Sequence, residues 1–174
     1  MNLPNVLSLS RAVLAVPLFL LVRQGRFELA LAVLALALAT DLLDGAIARR
    51  WDLSTELGRV LDPVADKILV GSVLAALALS ARVPRELAVF VVLRDAVLVA
   101  LAWVRFRADG FVPRATVVGK VAFAVLGVYL LGVVVGISWP LWVAALVGAL
   151  YVAAGFGYAS RISGVSFGRV LKEE

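Results

Sequence analysis

Long apolar stretches separated by short polar ones organise this chain. They fall at about Val6–Val22, Glu28–Ile47, Leu61–Ala81, Leu87–Phe106, Ala115–Gly136 and Leu141–Tyr158. Each is close to the roughly 20 apolar residues that a helix needs to cross a bilayer. Runs such as LALAVLALALAT show none of the short alternating segments that a membrane barrel would display. A helix also satisfies its own backbone in lipid. The connecting segments RQGRF, ARRWDLSTELGR, RVPRE, RADGFVPR and ISWP are rich in charge and turn formers. The pattern predicts an all-α integral membrane protein of six transmembrane helices, forming a single domain over residues 1–174.

Composition reinforces the pattern. The 174 residues are 63% hydrophobic, against about 45–50% in ordinary soluble domains. The opening MNLPNVLSLSR has no basic region ahead of its apolar run, which predicts a retained first helix rather than a cleaved signal. Net charge is +5, but most basic residues are scattered at span ends without a continuous stripe or interleaved aromatics. No nucleic-acid partner is expected; anionic headgroups and a phosphorylated substrate fit the charge better.

Six spans place both termini on one side of the membrane. Arg49, Arg50, Arg59, Arg105, Arg107, Arg114, Arg161, Arg169 and Lys172 fall on that side, against Arg23, Arg26, Arg82 and Arg85 opposite. The expectation is a multi-pass protein of the inner (plasma) membrane in which, by the positive-inside rule, the termini and a candidate site at the adjoining ends of the second and third helices face the cytoplasm. Trp51, Trp103, Trp139 and Trp142 fall at or near span ends, where interface anchors concentrate.

Four aspartates break the apolar rule. Asp41, Asp44, Asp62 and Asp66 lie in the run DLLDGAIARRWDLSTELGRVLDPVAD, which reads D-x2-D-G-x2-A-R-x8-G-x3-D-x3-D. Charge at membrane depth is expensive and usually marks function. Four neighbouring carboxylates would not all stay ionised unless cations shared them. The chain has no His and no Cys, so oxygen donors must do any metal binding, which selects Mg²⁺, Mn²⁺ or Ca²⁺. Helical register places Asp41, Asp44, Gly45 and Ala48 on one stripe. Gly58, Asp62 and Asp66 form a second stripe if the third helix starts early enough, with Pro63 expected in its first turn. A short loop would make the two helices antiparallel neighbours, able to present both carboxylate pairs to each other at one membrane surface. Two cations held there would clamp the attacking and leaving oxygens of a phosphoryl transfer. The small residues would let a ligand approach the backbones, and Arg49 can reach a diphosphate with its fork of donors.

This run resembles the signature of the CDP-alcohol phosphatidyltransferase family, matching all eight fixed residues across 26 positions. The NLPNVLSLSR opening, the LDPVADK segment and the six spans extend the resemblance over most of the chain. It implies a Mg²⁺- or Mn²⁺-dependent membrane enzyme, a homodimer, that transfers a substituted phosphate from a CDP-linked donor to an alcohol and releases CMP. By the same resemblance Asp41, Asp44, Asp62 and Asp66 would bind two metal ions, and Asp66 would also be the base for the acceptor hydroxyl. Asp44, Gly45, Ala48, Arg49 and Gly58 would hold the CDP group of CDP-diacylglycerol.

The acceptor is less sharply written. LDPVADK, the Arg94–Asp95 pair and Gly119–Lys120 resemble the glycerol-lipid branch, which contains phosphatidylglycerophosphate and cardiolipin synthases. Asp95 where Arg-Glu is usual, and GKVAFA in place of a threonine-bearing run, lean towards phosphatidylglycerol over glycerol-3-phosphate. Inositol phosphate and serine are the alternative acceptors. Arg94, Arg105, Arg107, Arg114 and Lys120 are candidates for acceptor binding, while Arg11 and Lys67 are further charges within spans. Arg94 and Asp95 read equally as an anion pocket or support for the site, and as a buried pair formed with other helices. Two rivals carry different chemistry. A prenyltransferase would release pyrophosphate from motifs on well-separated helices. A divalent-cation transporter would place its carboxylates near the midplane with access from both sides.

Overall fold

The structure is a computed structural model. It describes residues 3–50, 56–109 and 116–170, with side chains described for 9–37, 39, 63–107 and 116–158. Among these residues the fold is entirely helical: α1 (Leu3–Arg23), α2 (Phe27–Arg50), α3 (Glu56–Leu79), α4 (Arg85–Asp109), α5 (Val117–Val135) and α6 (Leu141–Val170). Each expected stretch is a helix, although α2, α3, α4 and α6 run past their apolar limits into polar sequence. Three stretches among the described residues are long and apolar enough to cross a membrane: Arg85–Arg107, Val117–Val135 and Leu141–Tyr158.

Helical periodicity builds the core. Arg11, Ala15, Leu18 and Val22 form one buried stripe along α1, and Ala144, Val147, Tyr151 and Ala154 form another along α6. The α1 stripe packs most extensively on α3, whose Leu69, Val73, Leu74 and Leu77 are buried. Helix α3 also meets α4 and α5, which makes it the central element, while α1 packs on α2 and α6 on both α4 and α5. The opposite face of α4 leaves Val89, Leu93, Val97, Leu101 and Val104 exposed, an apolar surface suited to lipid.

Three connections share one construction. The α1–α2, α3–α4 and α5–α6 turns each close with a left-handed residue: Gly25 (φ 72°), Ala81 (φ 54°) and Gly136 (φ 98°). In each, the next residue's N–H reaches back to a carbonyl of the last helical turn: Arg26 to Leu21 (2.9 Å), Arg82 to Leu77 (2.9 Å) and Ile137 to Gly132 (2.8 Å). This Schellman arrangement satisfies carbonyls that the helix end would otherwise orphan. The Arg82 guanidinium lies 4.4 Å over the Phe27 ring, tying the first two turns together. Trp139 folds back on α5 and donates its indole N–H to the Tyr129 carbonyl at 3.1 Å. It fits because Gly132 has no side chain: a Cβ there would stand 2.6 Å from the indole nitrogen.

Helix α3 starts at Glu56, so Gly58, Asp62 and Asp66 do occupy one helix at four-residue steps. Pro63 lies inside that helix and not in its first turn, contrary to the sequence expectation. Residues 56–60, polar sequence ahead of the apolar run, are themselves helical, which moves the start upstream. A proline inside a helix forgoes one backbone hydrogen bond.

Candidate active site

Helix α2 carries Asp41, Asp44, Gly45, Ala48 and Arg49 in its last turns, and α3 carries Gly58, Asp62 and Asp66 in its first half. The side chains of these residues, Asp66 apart, lie outside the described ones, and so does the expected facing of the two carboxylate pairs. Arg114 also lies outside the described residues.

Asp66 is the described anchor of the site. Its side chain is 43% exposed, and it accepts a hydrogen bond from Arg11, which comes from α1 and is itself buried. A guanidinium stays charged at any relevant pH, so α1 brings a fixed positive charge to the carboxylate. Sequence reasoning noted Arg11 without giving it a role. The signal available was its place midway along an apolar helix, where a charge needs a partner.

The next residue turns elsewhere. One position on a helix is about 100°, so Lys67 leaves α3 on a different side from Asp66. Its ammonium meets the Asp95 carboxylate of α4 at 2.8 Å. The same carboxylate oxygen accepts from Arg94 at 2.6 Å. The Arg94 guanidinium lies 5.0 Å over the ring of Tyr151 on α6. Arg94 Nε and the Tyr151 hydroxyl are buried with no hydrogen-bond partner among the described residues. The Arg94–Asp95 pair thus closes on itself and on Lys67, and Tyr151 is a member that the sequence did not suggest: its apolar neighbours conceal it.

The remaining basic candidates lie at the C-terminal end of α4 and the N-terminal end of α5. Arg105 and Arg107 lie in the last turns of α4, and the Arg107 guanidinium sits 5.3 Å over the Trp103 ring. Lys120 is exposed in the first turn of α5. That turn is fixed by Thr116, whose hydroxyl accepts from the Gly119 N–H at 3.0 Å. An N-cap of this kind satisfies one of the orphan donors of a helix start.

The oxygen-donor set suits a hard divalent cation. Among the described residues alone no group of three or more acidic side chains assembles, because three of the four aspartates fall outside them.

Comparison with known proteins follows the same lines. The probable cardiolipin synthase (CMP-forming) of Drosophila melanogaster is 44% identical over 105 residues, covering 60% of this chain and 33% of that protein. The probable phosphatidylglycerophosphate synthase of Mycobacterium tuberculosis is 36% identical over 153 residues, covering 84% of this chain and 72% of that one. The chain thus matches about a third of the length of the insect relative and most of the bacterial one. The crystal structure of the Mycobacterium tuberculosis phosphatidylinositol phosphate synthase, in apo form, superposes with a TM-score of 0.61 over 93% of this chain and 88% of that one, at 24% identity, and so shares the fold. The family description CDP-alcohol phosphatidyltransferase matches residues 1–156, motif helices included, and the chain belongs to that family.

Proposed function

We propose that this protein transfers the phosphatidyl group of CDP-diacylglycerol to a glycerol-type alcohol and releases CMP. The observation that carries the reading is the complete aspartate motif on α2 and α3, with Asp66 half-exposed and held by Arg11. The names of the two relatives, a cardiolipin synthase and a phosphatidylglycerophosphate synthase, both describe products of the glycerol-lipid branch. Asp95 and the GKVAFA run favour phosphatidylglycerol as acceptor over glycerol-3-phosphate.

Asp41, Asp44, Asp62 and Asp66 would hold two divalent cations, Mg²⁺ or Mn²⁺; when bound, these supply charge neutralisation of the diphosphate. Gly45, Ala48 and Gly58 leave room for the cytidine end of the donor along the helix backbones, and Arg49 binds its diphosphate. Asp66 takes the proton of the acceptor hydroxyl. That oxygen forms a bond to the lipid-side phosphorus, while the bridging P–O bond breaks and its electron pair leaves with CMP. Arg105, Arg107, Arg114 and Lys120 hold the acceptor's phosphate. Arg94, engaged by Asp95, stands deeper as the fifth member of this basic set.

In this reading all six helices cross the inner membrane, the motif ends of α2 and α3 face the cytoplasm, and the protein works as a homodimer through its exposed apolar faces. The test is CMP release by the purified protein in mild detergent with CDP-diacylglycerol and Mg²⁺. The acceptors offered would be phosphatidylglycerol, glycerol-3-phosphate, inositol phosphate and serine. Release that depends on phosphatidylglycerol is the expected result. Release with inositol phosphate or serine alone would overturn the acceptor, and none with any of them would overturn the reaction.

A further inference from the structure

A single line of alternating charge crosses four helices. It runs from Arg11 on α1 to Asp66 and Lys67 on α3, then to Asp95 and Arg94 on α4, and ends over the Tyr151 ring on α6. Its middle members, Asp66 and Lys67, are consecutive residues tied to different helices. A helix held by a single side chain can still roll about its axis. Held at two adjacent positions on different sides, it cannot roll without breaking one tie.

The size of such a roll matters for chemistry. A side-chain tip lies about 5–6 Å from the helix axis, so a roll of about 10° moves it by about 1 Å. A misplacement of about 1 Å can cost on the order of a hundredfold in rate. Stability alone is a weak reason for these ties, because burying an ion pair costs about what the attraction returns. The apolar contacts of Leu74, Leu77, Leu87 and Val91 already join α3 and α4 into one core. What the ion pairs add is angular register.

We propose that Asp95 and Lys67 are positioning residues for the transfer reaction: their ion pair fixes the rotation of α3 and so presents the Asp66 carboxylate, against Arg11, to the acceptor hydroxyl. This rests on the role proposed above for Asp66. Lys67 and Asp95 touch neither substrate and act through the helix.

The experiment is steady-state kinetics of CMP release by the full-length protein, with CDP-diacylglycerol and whichever acceptor the wild type uses. Asp95→Asn and Lys67→Met are each expected to lower kcat by about 10–100-fold. KM for CDP-diacylglycerol should stay within about threefold in both variants. In Lys67→Met, which leaves the Arg94–Asp95 pair in place, the acceptor KM should also hold and thermal unfolding in detergent should stay near that of wild type. Asp95→Glu, which keeps the carboxylate, should recover most of the rate. The Lys67→Met/Asp95→Asn double variant should be no slower than the slower single one, since both act through one tie. Wild-type kcat in both single variants would overturn the proposal. So would a rise confined to the acceptor KM in Lys67→Met, which would make Lys67 a substrate contact. A kcat loss that Asp95→Glu does not repair and that tracks lower thermal stability would reduce it to a structural pair. Should Asp95→Asn fail to fold, Lys67→Met and Asp95→Glu decide alone. A wild type without CMP release would instead refute the proposed reaction, so the two failures are distinct.

Discussion

The end of the bundle that holds the α1–α2, α3–α4 and α5–α6 turns and the end that holds the aspartate motif obey different rules. At the first end each helix stops by the same device, a left-handed residue and a backbone bond to the last turn. Aromatic groups then fill the gaps: Phe27 under Arg82, and Trp139 against Gly132. Little there has reactive chemistry. At the motif end the helices run past their apolar limits, and carboxylates, guanidiniums and an ammonium take the place of apolar contacts. The difference teaches where to look for each property: changes at the turn end should move stability and leave turnover alone, and changes at the motif end should do the reverse.

The largest test falls on the motif end. Asp62→Asn removes one proposed metal ligand and should cut CMP release by at least about a hundredfold, with the unfolding temperature little changed. Chelation by EDTA should abolish turnover of the wild type, and added Mg²⁺ or Mn²⁺ should restore it. Turnover that survives either treatment would break the comparison at its stronger side. Next in size, Arg107→Gln or Lys120→Gln should raise the acceptor KM by about tenfold, the worth of one charge-assisted hydrogen bond, with kcat held. An unchanged KM would remove those residues from the acceptor site.

At the turn end the readout becomes thermal. Gly132→Val would push a side chain into the Trp139 indole and should cost about 1–3 kcal/mol, seen as earlier unfolding in detergent with kcat preserved. The smallest effect should come from Ala81→Gly. A left-handed alanine costs about 1 kcal/mol relative to glycine, so this variant should unfold slightly later, again with unchanged turnover. A loss of activity in either variant would show that the two ends are coupled.

Much of this division was legible in the residues. Apolar run length gave the six helices, and Gly25 and Gly136 mark two of the three turns openly. Ala81 does not, because alanine carries no turn signal; only the backbone geometry shows it repeating the device. The aspartate motif stands out by its spacing, and α2 and α3 carry its members, while the side chains of Asp41, Asp44 and Asp62 lie outside the described residues. What spacing cannot tell is which distant charge answers which. Arg11 and Asp66 lie far apart in sequence and meet because α1 packs on α3. Lys67 and Asp95 meet because α3 also packs on α4. Pro63 lies deeper in α3 than expected because the helix begins at Glu56, inside a polar segment whose helical nature hydrophobicity does not record.

Arg11 also bears on how the chain enters the bilayer. In the six-span reading, α3 and α4 would each enter lipid with neighbouring charges of opposite sign, Asp66 with Lys67 and Asp95 with Arg94. Helix α1 carries Arg11 with no such companion beside it in sequence. An arginine at the centre of an isolated helix is penalised by about 2.5–3.5 kcal/mol on insertion scales. Its counter-charge is synthesised more than fifty residues later, on α3. If all six helices cross the membrane as proposed, the first would carry an uncovered charge until the third is in place to answer it.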